Sequence, residues 1–314
     1  QWWHKQMDSV LDLGLDGWKC DGTDPLLILL RPWPYSGKRK SSLVRYREYA
    51  TDYYADFYNY TQTKRPGSLI MSRPVDNLLN KYYFSYSPKY VMFSGWVGDQ
   101  DSTYDGMRDA IRNMFHSAWK NYLNFGCDIG GYRDKNITKD LFVRYAQLGS
   151  MVPLMENGGD GKHFPWLFDE ETVDIYRSFA TLHTDMMPFF LTAGTEAYAK
   201  GASVMKPLAT KQGRWGPNDP DNWGYTLWKD FLIYPITNDA GIAVIGFPAG
   251  SDWIYHFNNS KVFGGKSHIE AMFPLNEFPI FLRKGAAIPF QSKYLLVYPE
   301  GQENRTIYHG DWSD

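Results

Sequence analysis

The sequence has little cysteine, almost no net charge and no long apolar run, and each absence excludes a class of protein. Two cysteines among 314 residues are too few for a disulfide-stapled fold. A formal net charge of -2 gives no reason to expect nucleic acid or an anionic membrane as a partner. The longest apolar stretch, residues 26–30, is far shorter than the roughly 20 residues that cross a bilayer. We therefore expect no nucleic-acid partner and no membrane span.

Aromatic residues, in contrast, are abundant. They make up 17% of the chain and include 12 Trp and 23 Tyr. Flat aromatic rings stack on the C–H faces of sugars, so the surplus is consistent with a carbohydrate cleft, although most of these rings will pack in the core.

Four Asn-X-Ser/Thr sequons occur, more than chance gives in a chain of this length. They lie at Asn59, Asn136, Asn258 and Asn304. The sequons indicate a glycoprotein of the secretory pathway or the cell exterior.

Short strand-like runs alternate with longer helical patterns through residue 200. The predicted strands are 17–21, 68–72, 90–95, 125–128 and 152–155. The predicted helices are 45–63, 103–122, 139–148 and 170–198, with Pro188 kinking or splitting the last. This alternation predicts an α/β fold with a parallel sheet, most simply a (β/α)8 TIM barrel of which five strands are visible. A Pro/Gly/Asn-rich linker follows at residues 213–224. After it, short strand-like runs separated by turn residues predict an antiparallel β-sandwich. These runs are 231–236, 242–247, 253–257 and 278–282.

Each cysteine directly precedes an aspartate at the end of a predicted strand: Cys20 before Asp21, and Cys127 before Asp128. Because side chains alternate along a strand, cysteines and aspartates point to opposite faces. If the aspartates face a site, the cysteines pack away from it, so we expect two free buried thiols.

Two segments resemble the catalytic motifs of glycoside hydrolase family 31, the family of α-glucosidases and α-xylosidases. Residues 17–25 (GWKCDGTDP) resemble the motif of barrel strand four, whose first aspartate is the nucleophile; the resemblance makes Asp21 that residue. Residues 94–100 (SGWVGDQ) resemble W-x-G-D-N, whose aspartate is the acid/base, and this implies the same role for Asp99.

Two further segments resemble the family's sugar-contacting motifs. Residues 71–73 (MSR) match the strand-five arginine motif, and residues 126–132 (GCDIGGY) match the strand-seven motif A-D-I-G-G-F. The resemblance implies that Arg73 and Asp128 bind the sugar.

Weaker matches continue in the family's order at residues 144–149, 201–208, 230–237 and 276–289. They imply a partial barrel holding strands four to eight over residues 1–200. A proximal β-sandwich would follow over 201–290 and the start of a distal β-domain over 291–314. We expect the first barrel strands in the same protein or in a companion chain.

The sequence departs from the family after the last predicted barrel strand. The family has R-N-H-N there, and Gly158 stands at the histidine position. Glu156, Asn157 or His163 are the candidates to replace that sugar contact. The motif glutamate is also shortened to Asp24, so the identity of the sugar stays open.

Retaining hydrolysis needs a carboxylate that attacks the anomeric carbon and a second carboxyl group that acts as acid and then as base. It needs no metal, and the sequence has no His/Cys cluster with ligand spacing, so we expect no cofactor. Trp18 and Trp96 are candidates to line the sugar cleft.

Each residue also has a simpler interpretation. Asp21, Asp99 and Asp128 could cap turns at strand ends, Arg73 could form a structural ion pair, and Trp96 could be core. His163 could be an ordinary loop residue.

The sequence therefore predicts a retaining glycosidase acting on a terminal α-linked sugar of an oligosaccharide or glycoside, with α-glucosidase favoured. The alternatives are an α-galactosidase or α-xylosidase of the same family, or a catalytically silent relative that binds or supports other molecules. Hydrolase and transglycosidase activity are not distinguished.

Overall fold

The computed structural model describes residues 2–21, 46–78, 82–84, 87–133, 136–209, 223–291, 293–296 and 306–309. These residues form two compact units, 1–98 and 99–314. Asp24, Asn304 and residues 213–222 of the predicted linker lie outside the described residues.

The first unit is built around a parallel sheet of three short strands. Its elements in chain order are α1 (Trp2–Leu11), β1 (Gly17–Lys19), α2 (Tyr46–Lys64), β2 (Leu69–Met71), β3 (Asp76–Leu78), β4 (Tyr82–Phe84) and β5 (Met92–Ser94). Strands β1, β2 and β5 pair in parallel in that order. Strands β3 and β4, which lie between β2 and β5 in the sequence, form a separate antiparallel pair.

The helices of this unit bury one face of the sheet. Met7 and Leu11 of α1 pack with Tyr54 and Phe57 of α2 against Ile70 of β2. Alternation along the strands sends every second side chain into this layer, so the intervening residues are left for the opposite face.

The second unit begins with the remaining barrel-type elements. These are α3 (Tyr104–Trp119), β6 (Gly126–Asp128), α4 (Lys139–Ser150), β7 (Leu154–Glu156), α5 (Glu170–Asp185) and α6 (Met187–Ala199). Thr103 caps α3, because its hydroxyl accepts from the Gly106 N–H at 3.0 Å. Met186 separates α5 from α6, and Pro188, which has no N–H to continue the helical ladder, lies in the first turn of α6.

Antiparallel strands make up the rest of the second unit. They are β8 (Met205–Pro207), β9 (Tyr225–Leu227), β10 (Phe231–Ile233), β11 (Ile242–Gly246), β12 (Trp253–Tyr255), β13 (Val262–Phe263), β14 (His268–Met272), β15 (Ile280–Arg283), β16 (Ala287–Phe290), β17 (Lys293–Leu296) and β18 (Thr306–His309). Six strands form one sheet in the order β13-β12-β15-β10-β9-β8, β11 pairs with β14, and β16, β17 and β18 form a third sheet.

Aromatic and aliphatic side chains fill the space between the six-stranded sheet and the β11–β14 pair. Leu232, Trp253 and Phe281 from the larger sheet pack with Ala243 and Ile245 from the smaller one. Two packed antiparallel layers with one core between them match the predicted sandwich.

A buried arginine joins α4 to this sandwich. The Arg144 guanidinium donates to the carbonyl of Phe273 at 2.7 Å and to that of Glu277 at 2.9 Å, and Gln147 donates to the carbonyl of Leu275 at 2.7 Å. The segment 144–149 thus fixes the loop before β15 through charge-assisted bonds to main-chain oxygens.

The five predicted barrel strands are all present, each within two residues of its predicted start. The division of helix 170–198 at Pro188 is confirmed. Strands β3, β4, β8, β9, β13, β14 and β16 to β18 were not predicted. None of the described helices is long and apolar enough to cross a membrane.

Candidate active site

The first unit holds Asp21 and Arg73 at the carboxyl ends of adjacent strands. The Cys20 N–H donates to the Met71 carbonyl at 2.8 Å, which keeps the two chains paired just before both residues. Arg73 Nη2 then lies 2.8 Å from Asp21 Oδ1; the Asp21 side chain is 73% exposed and that of Arg73 17%. The ion pair engages one carboxylate oxygen of Asp21 and leaves the side chain accessible to solvent.

Trp96 lies beneath these charges and contacts two cations. The Arg73 guanidinium carbon is 5.2 Å, and the Lys19 Nζ 4.4 Å, from the centre of the indole ring. Trp96 itself is buried. Its role in the described structure is to hold cations at the strand ends by cation–π attraction, and contact with a sugar stays a prediction.

A glycine brings the end of β5 close to the end of β2. A Cβ on Gly95 would lie 2.2 Å from the Ser72 carbonyl oxygen, so no side chain fits there. The Ser72 N–H donates to the Ser94 carbonyl at 3.1 Å, which aligns the two chains directly before Arg73 and Trp96.

Trp18 lies on the face of β1 that packs against the helices of the first unit. Its indole N–H donates to the Thr61 hydroxyl at 2.9 Å, and its ring meets Phe57 edge-on at 5.6 Å between centroids. This placement, in the layer between sheet and helices, favours packing over the predicted contact with sugar.

In the second unit, the segment that follows Asp99 is bound to the turn that follows Asp128. The Gln100 carbonyl accepts the N–H groups of Tyr132 at 2.8 Å and Arg133 at 3.1 Å. The N–H and the hydroxyl of Ser102 both donate to the Arg133 carbonyl, at 3.0 and 2.9 Å. We call these bonds the backbone clamp. Sequence reasoning could not detect it, because main-chain atoms carry no residue signature.

The turn after β6 requires its two glycines. Gly130 and Gly131 have φ values of +95° and +78°, a region that side chains disfavour. The Gly131 N–H donates to the Asp128 carbonyl at 3.0 Å, and a Cβ on Gly131 would lie 2.8 Å from the Asp101 carbonyl oxygen. The D-I-G-G sequence is therefore what allows the clamp to close.

Asp128 and Glu156 form an in-register pair on neighbouring parallel strands. Residues in register share a face, so both carboxylates project to the same side of the sheet. Asp128 is 1% exposed, and Glu156 is half-buried. Of the three residues predicted to replace the histidine contact, Glu156 is thus the one placed beside Asp128.

The other two candidates are engaged in holding their own loop. The Asn157 amide donates to the His163 carbonyl at 2.8 Å and accepts from the Tyr176 hydroxyl at 2.6 Å. The buried His163 ring has its Nδ1 3.1 Å from the Ile129 carbonyl oxygen. These contacts favour positioning roles for both residues over the sugar contact predicted for them.

Gly158 lies directly against the Asp128 carboxylate. A Cβ at this position would meet only the Asp128 carboxylate among the described residues, at 3.3 Å from Oδ1, and its φ lies outside the left-handed region. The backbone does not require glycine here, so the absence of a side chain is what distinguishes the position.

The predicted placement of the cysteines is confirmed: both are free and buried. Burial raises the pKa of Cys20 to about 12. Burial, followed by the charges of Asp128 and Glu156, raises the pKa of Cys127 well above its usual value. Within the described residues, no three His, Cys, Asp or Glu side chains are grouped as a metal ion would require.

Residues 1–193 match the model of the glycosyl hydrolases family 31 TIM-barrel domain. The chain belongs to this family. Family 31 membership assigns the five parallel strands to a TIM barrel, with the six-stranded antiparallel sheet following it.

Curated relatives are identical to the chain at about a quarter of the aligned positions. An α-xylosidase of Emericella nidulans is 24% identical over 310 residues, 96% of this chain and 38% of that protein. An α-glucosidase of Bacillus thermoamyloliquefaciens is 28% identical over 242 residues, 74% of this chain and 29% of that protein. The chain thus spans well under half the length of these family 31 enzymes.

Solved structures of family 31 have the same fold. A cycloalternan-forming enzyme of Listeria monocytogenes, in complex with a pentasaccharide substrate, superimposes with a TM-score of 0.75 at 22% identity, over 96% of this chain and 28% of its own. A family 31 dextranase of Flavobacterium johnsoniae complexed with isomaltotriose gives a TM-score of 0.71 at 22% identity, over 98% of this chain and 39% of its own.

Proposed function

We propose that the protein is a retaining α-glycoside hydrolase that removes terminal α-linked sugars through a covalent glycosyl-enzyme, and that it acts as an α-glucosidase. Membership of family 31 supports the proposal, together with the resemblance of residues 17–25 and 94–100 to the family's two catalytic motifs. The curated relatives include an α-glucosidase and an α-xylosidase, which supports glycoside hydrolysis without deciding the sugar.

Asp21 is the proposed nucleophile. It attacks the anomeric carbon, the bond to the leaving oxygen breaks, and a glycosyl ester forms on Asp21. The nucleophile must be accessible and held in position, and an exposed carboxylate with Arg73 at one oxygen meets both needs.

Asp99 is the proposed acid/base. It gives its proton to the leaving oxygen in the first step and removes a proton from the attacking water in the second. Retention requires this carboxyl group at about 5–5.5 Å from the nucleophile. Gly98, with φ of +101°, precedes Asp99, and the backbone clamp fixes the residues after it.

Asp128 and Glu156 are the proposed anchors of the sugar hydroxyls. Buried carboxylates accept strong, directional hydrogen bonds, and these hold the anomeric carbon in position for attack.

The decisive experiment removes the nucleophile from the full-length protein. Asp21→Ala should abolish turnover of aryl α-glycosides, and added azide should restore product release as the inverted β-glycosyl azide. Asp52→Ala is the matched control, because Asp52 is an exposed carboxylate on α2 in the same unit. Full activity of Asp21→Ala would discard the proposal.

The acid/base is tested by its dependence on the leaving group. Asp99→Ala should lower kcat/KM by about 10²–10⁴-fold for glycosides with poor leaving groups. It should affect activated aryl glycosides far less in the first step. Equal losses on both substrates would contradict the assignment.

A catalytically silent relative is the competing proposal. A cyclophellitol-type aziridine should form an ester with Asp21, seen as a mass increase on the peptide that contains it. No labelling, under conditions where an active family member is labelled, would favour the silent protein. If the protein is active, its rates on aryl α-glycosides of glucose, galactose and xylose would then identify the sugar that it cleaves.

We also propose that the protein passes through the secretory pathway. Asn59, Asn136 and Asn258 are exposed, as glycan acceptors must be. Protein isolated from its native source should shift in gel mobility after N-glycosidase treatment, and an unchanged mobility would count against the proposal.

A further inference from the structure

Two large aromatic rings are exposed on the loop that follows β7. The rings of Phe164 and Trp166 are stacked, with centroids 4.9 Å apart and planes 11° from parallel. Phe164 is 45% and Trp166 67% exposed. Pro165 between them opens a short 3-10 turn, Pro165–Leu167. We call this pair the aromatic platform.

Buried polar contacts hold the platform in place. The residue before it, His163, is anchored to the Ile129 carbonyl and to the Asn157 amide. A Cβ on Gly159 would lie 2.2 Å from His163 Nε2, so the loop wraps closely around the imidazole ring. A platform fixed in this way loses little conformational entropy when a ligand binds.

The loop lies at the end of the strands where the candidate sugar anchors are. It leaves β7 at Glu156, and it enters α5 through Asp169, whose carboxylate caps the helix by accepting from the Thr172 N–H at 2.8 Å. In a β/α unit this connection is at the carboxyl end of the strand, the face where TIM barrels bind substrate. The His163–Ile129 contact also joins the loop to the residue directly after Asp128.

We infer that the aromatic platform is an outer sugar-binding subsite, which stacks a hexose ring of an oligosaccharide beyond the ring that is cleaved off. The inference rests on the proposed function. The Trp166 ring is stacked on one side against Phe164 and is 67% exposed, so it offers a flat apolar surface of about the size of a pyranose C–H face, and exposed aromatic surfaces of this kind mark binding sites. Structural relatives that bind a pentasaccharide and isomaltotriose support a substrate of several sugar units.

The test compares long and short substrates in the full-length protein. The measured quantity is a ratio: kcat/KM for malto- and isomalto-oligosaccharides of three to five units, divided by kcat/KM for an aryl α-glucoside. In Trp166→Ala this ratio should fall about three- to tenfold. Phe164→Ala should lower the same ratio less, and Trp166→Phe, which keeps a flat ring, should restore most of it.

Tyr198→Ala is the matched control, because this tyrosine is 78% exposed on α6, a helix that packs against β16. Its ratio should equal that of the wild type, and the melting temperatures of all variants should agree. An unchanged ratio for Trp166→Ala, or an equal loss on aryl glucoside and oligosaccharides, overturns the subsite.

The proposed function fails separately from the subsite. If the wild type cleaves no α-glycoside, the hydrolase proposal falls, and the subsite is judged by calorimetric titration with maltopentaose and isomaltopentaose. Weaker binding by Trp166→Ala than by Tyr198→Ala then supports the subsite, and equal or absent binding overturns it.

Discussion

The Asp21 side chain is 73% exposed and has Arg73 at one oxygen, whereas Asp128 is 1% exposed at the start of a turn closed by main-chain bonds. Asp128 is the last residue of β6 and Asp21 comes two residues after β1, and both follow a buried cysteine. The comparison teaches that one position gives a carboxylate access and a counter-charge, as a reacting group needs, while the other gives it rigidity, as a positioning group needs. The predictions below test this contrast.

The largest effect is expected from Gly131→Ala, which strains the turn at Asp128. A residue other than glycine at φ of +78° costs about 1–3 kcal/mol, and its Cβ would also press on the Asp101 carbonyl oxygen. The backbone clamp must then open, so both the melting temperature and kcat/KM should fall. Thermal unfolding and steady-state kinetics measure the two losses.

Gly158→Ala is the matched glycine variant. Its backbone accepts a side chain, and the new methyl group would contact only the Asp128 carboxylate among the described residues. The melting temperature should therefore stay at the wild-type value, with any loss confined to KM for the sugar. If Gly158→Ala lowers the melting temperature as much as Gly131→Ala does, the backbone requires glycine at both positions and the distinction between them is wrong.

Arg73→Met tests the exposed aspartate. Losing a hydrogen bond to a charged group costs about 1.5–3 kcal/mol, or roughly ten- to hundredfold in kcat/KM. Arg73→Lys should recover part of the activity, because it keeps the charge near Trp96 without the second donor of the guanidinium. Wild-type kcat/KM in Arg73→Met would show that the ion pair with Asp21 is structural.

Trp18→Phe should affect stability alone. The change removes the indole N–H that binds Thr61, at a cost of about 1 kcal/mol, and it leaves an aromatic ring against Phe57. We expect a lower melting temperature and wild-type kinetics. A raised KM at an unchanged melting temperature would return Trp18 to the sugar cleft where the sequence placed it.

The smallest effect concerns the two thiols, which should stay unlabelled in the folded protein. With the pKa of Cys20 raised to about 12 by burial, only about one thiol in a thousand is ionised at pH 9; Cys127 is raised further. Iodoacetamide at pH 8 should modify neither, and both after unfolding in guanidinium chloride. Labelling of Cys127 before Cys20 in the folded protein would contradict the higher pKa of the Cys127 thiol.

The sequence predicts this fold well where local patterns decide the structure. The apolar positions Met107, Ile111 and Met114 predict the inner face of α3, and all three are buried. Strand β14 was missed because its exposed positions, His268, Glu270 and Met272, alternate with half-buried ones, so no apolar run marks it. The start of β7 was predicted two residues early, since the buried Val152, two residues after the end of α4, resembles strand sequence.

The candidate site was less predictable than the fold. The motifs name Asp21, Asp99 and Asp128, but which side chains share a face depends on pairing between distant strands. The register of β6 and β7 is what sets Glu156 beside Asp128. The contacts of His163 with Ile129 and of Asn157 with Tyr176 are equally non-local. Neither the strand register nor these loop contacts can be predicted from composition or motif spacing.

Apart from the Ser102 hydroxyl, the clamp between Gln100 and Arg133 is made by amide and carbonyl groups that every residue but proline provides. Side chains along these two segments can therefore be exchanged during evolution while the segments keep their alignment. Tyr132 and Asp101, both exposed, can vary in this sense without loss of the main-chain bonds that align the two segments.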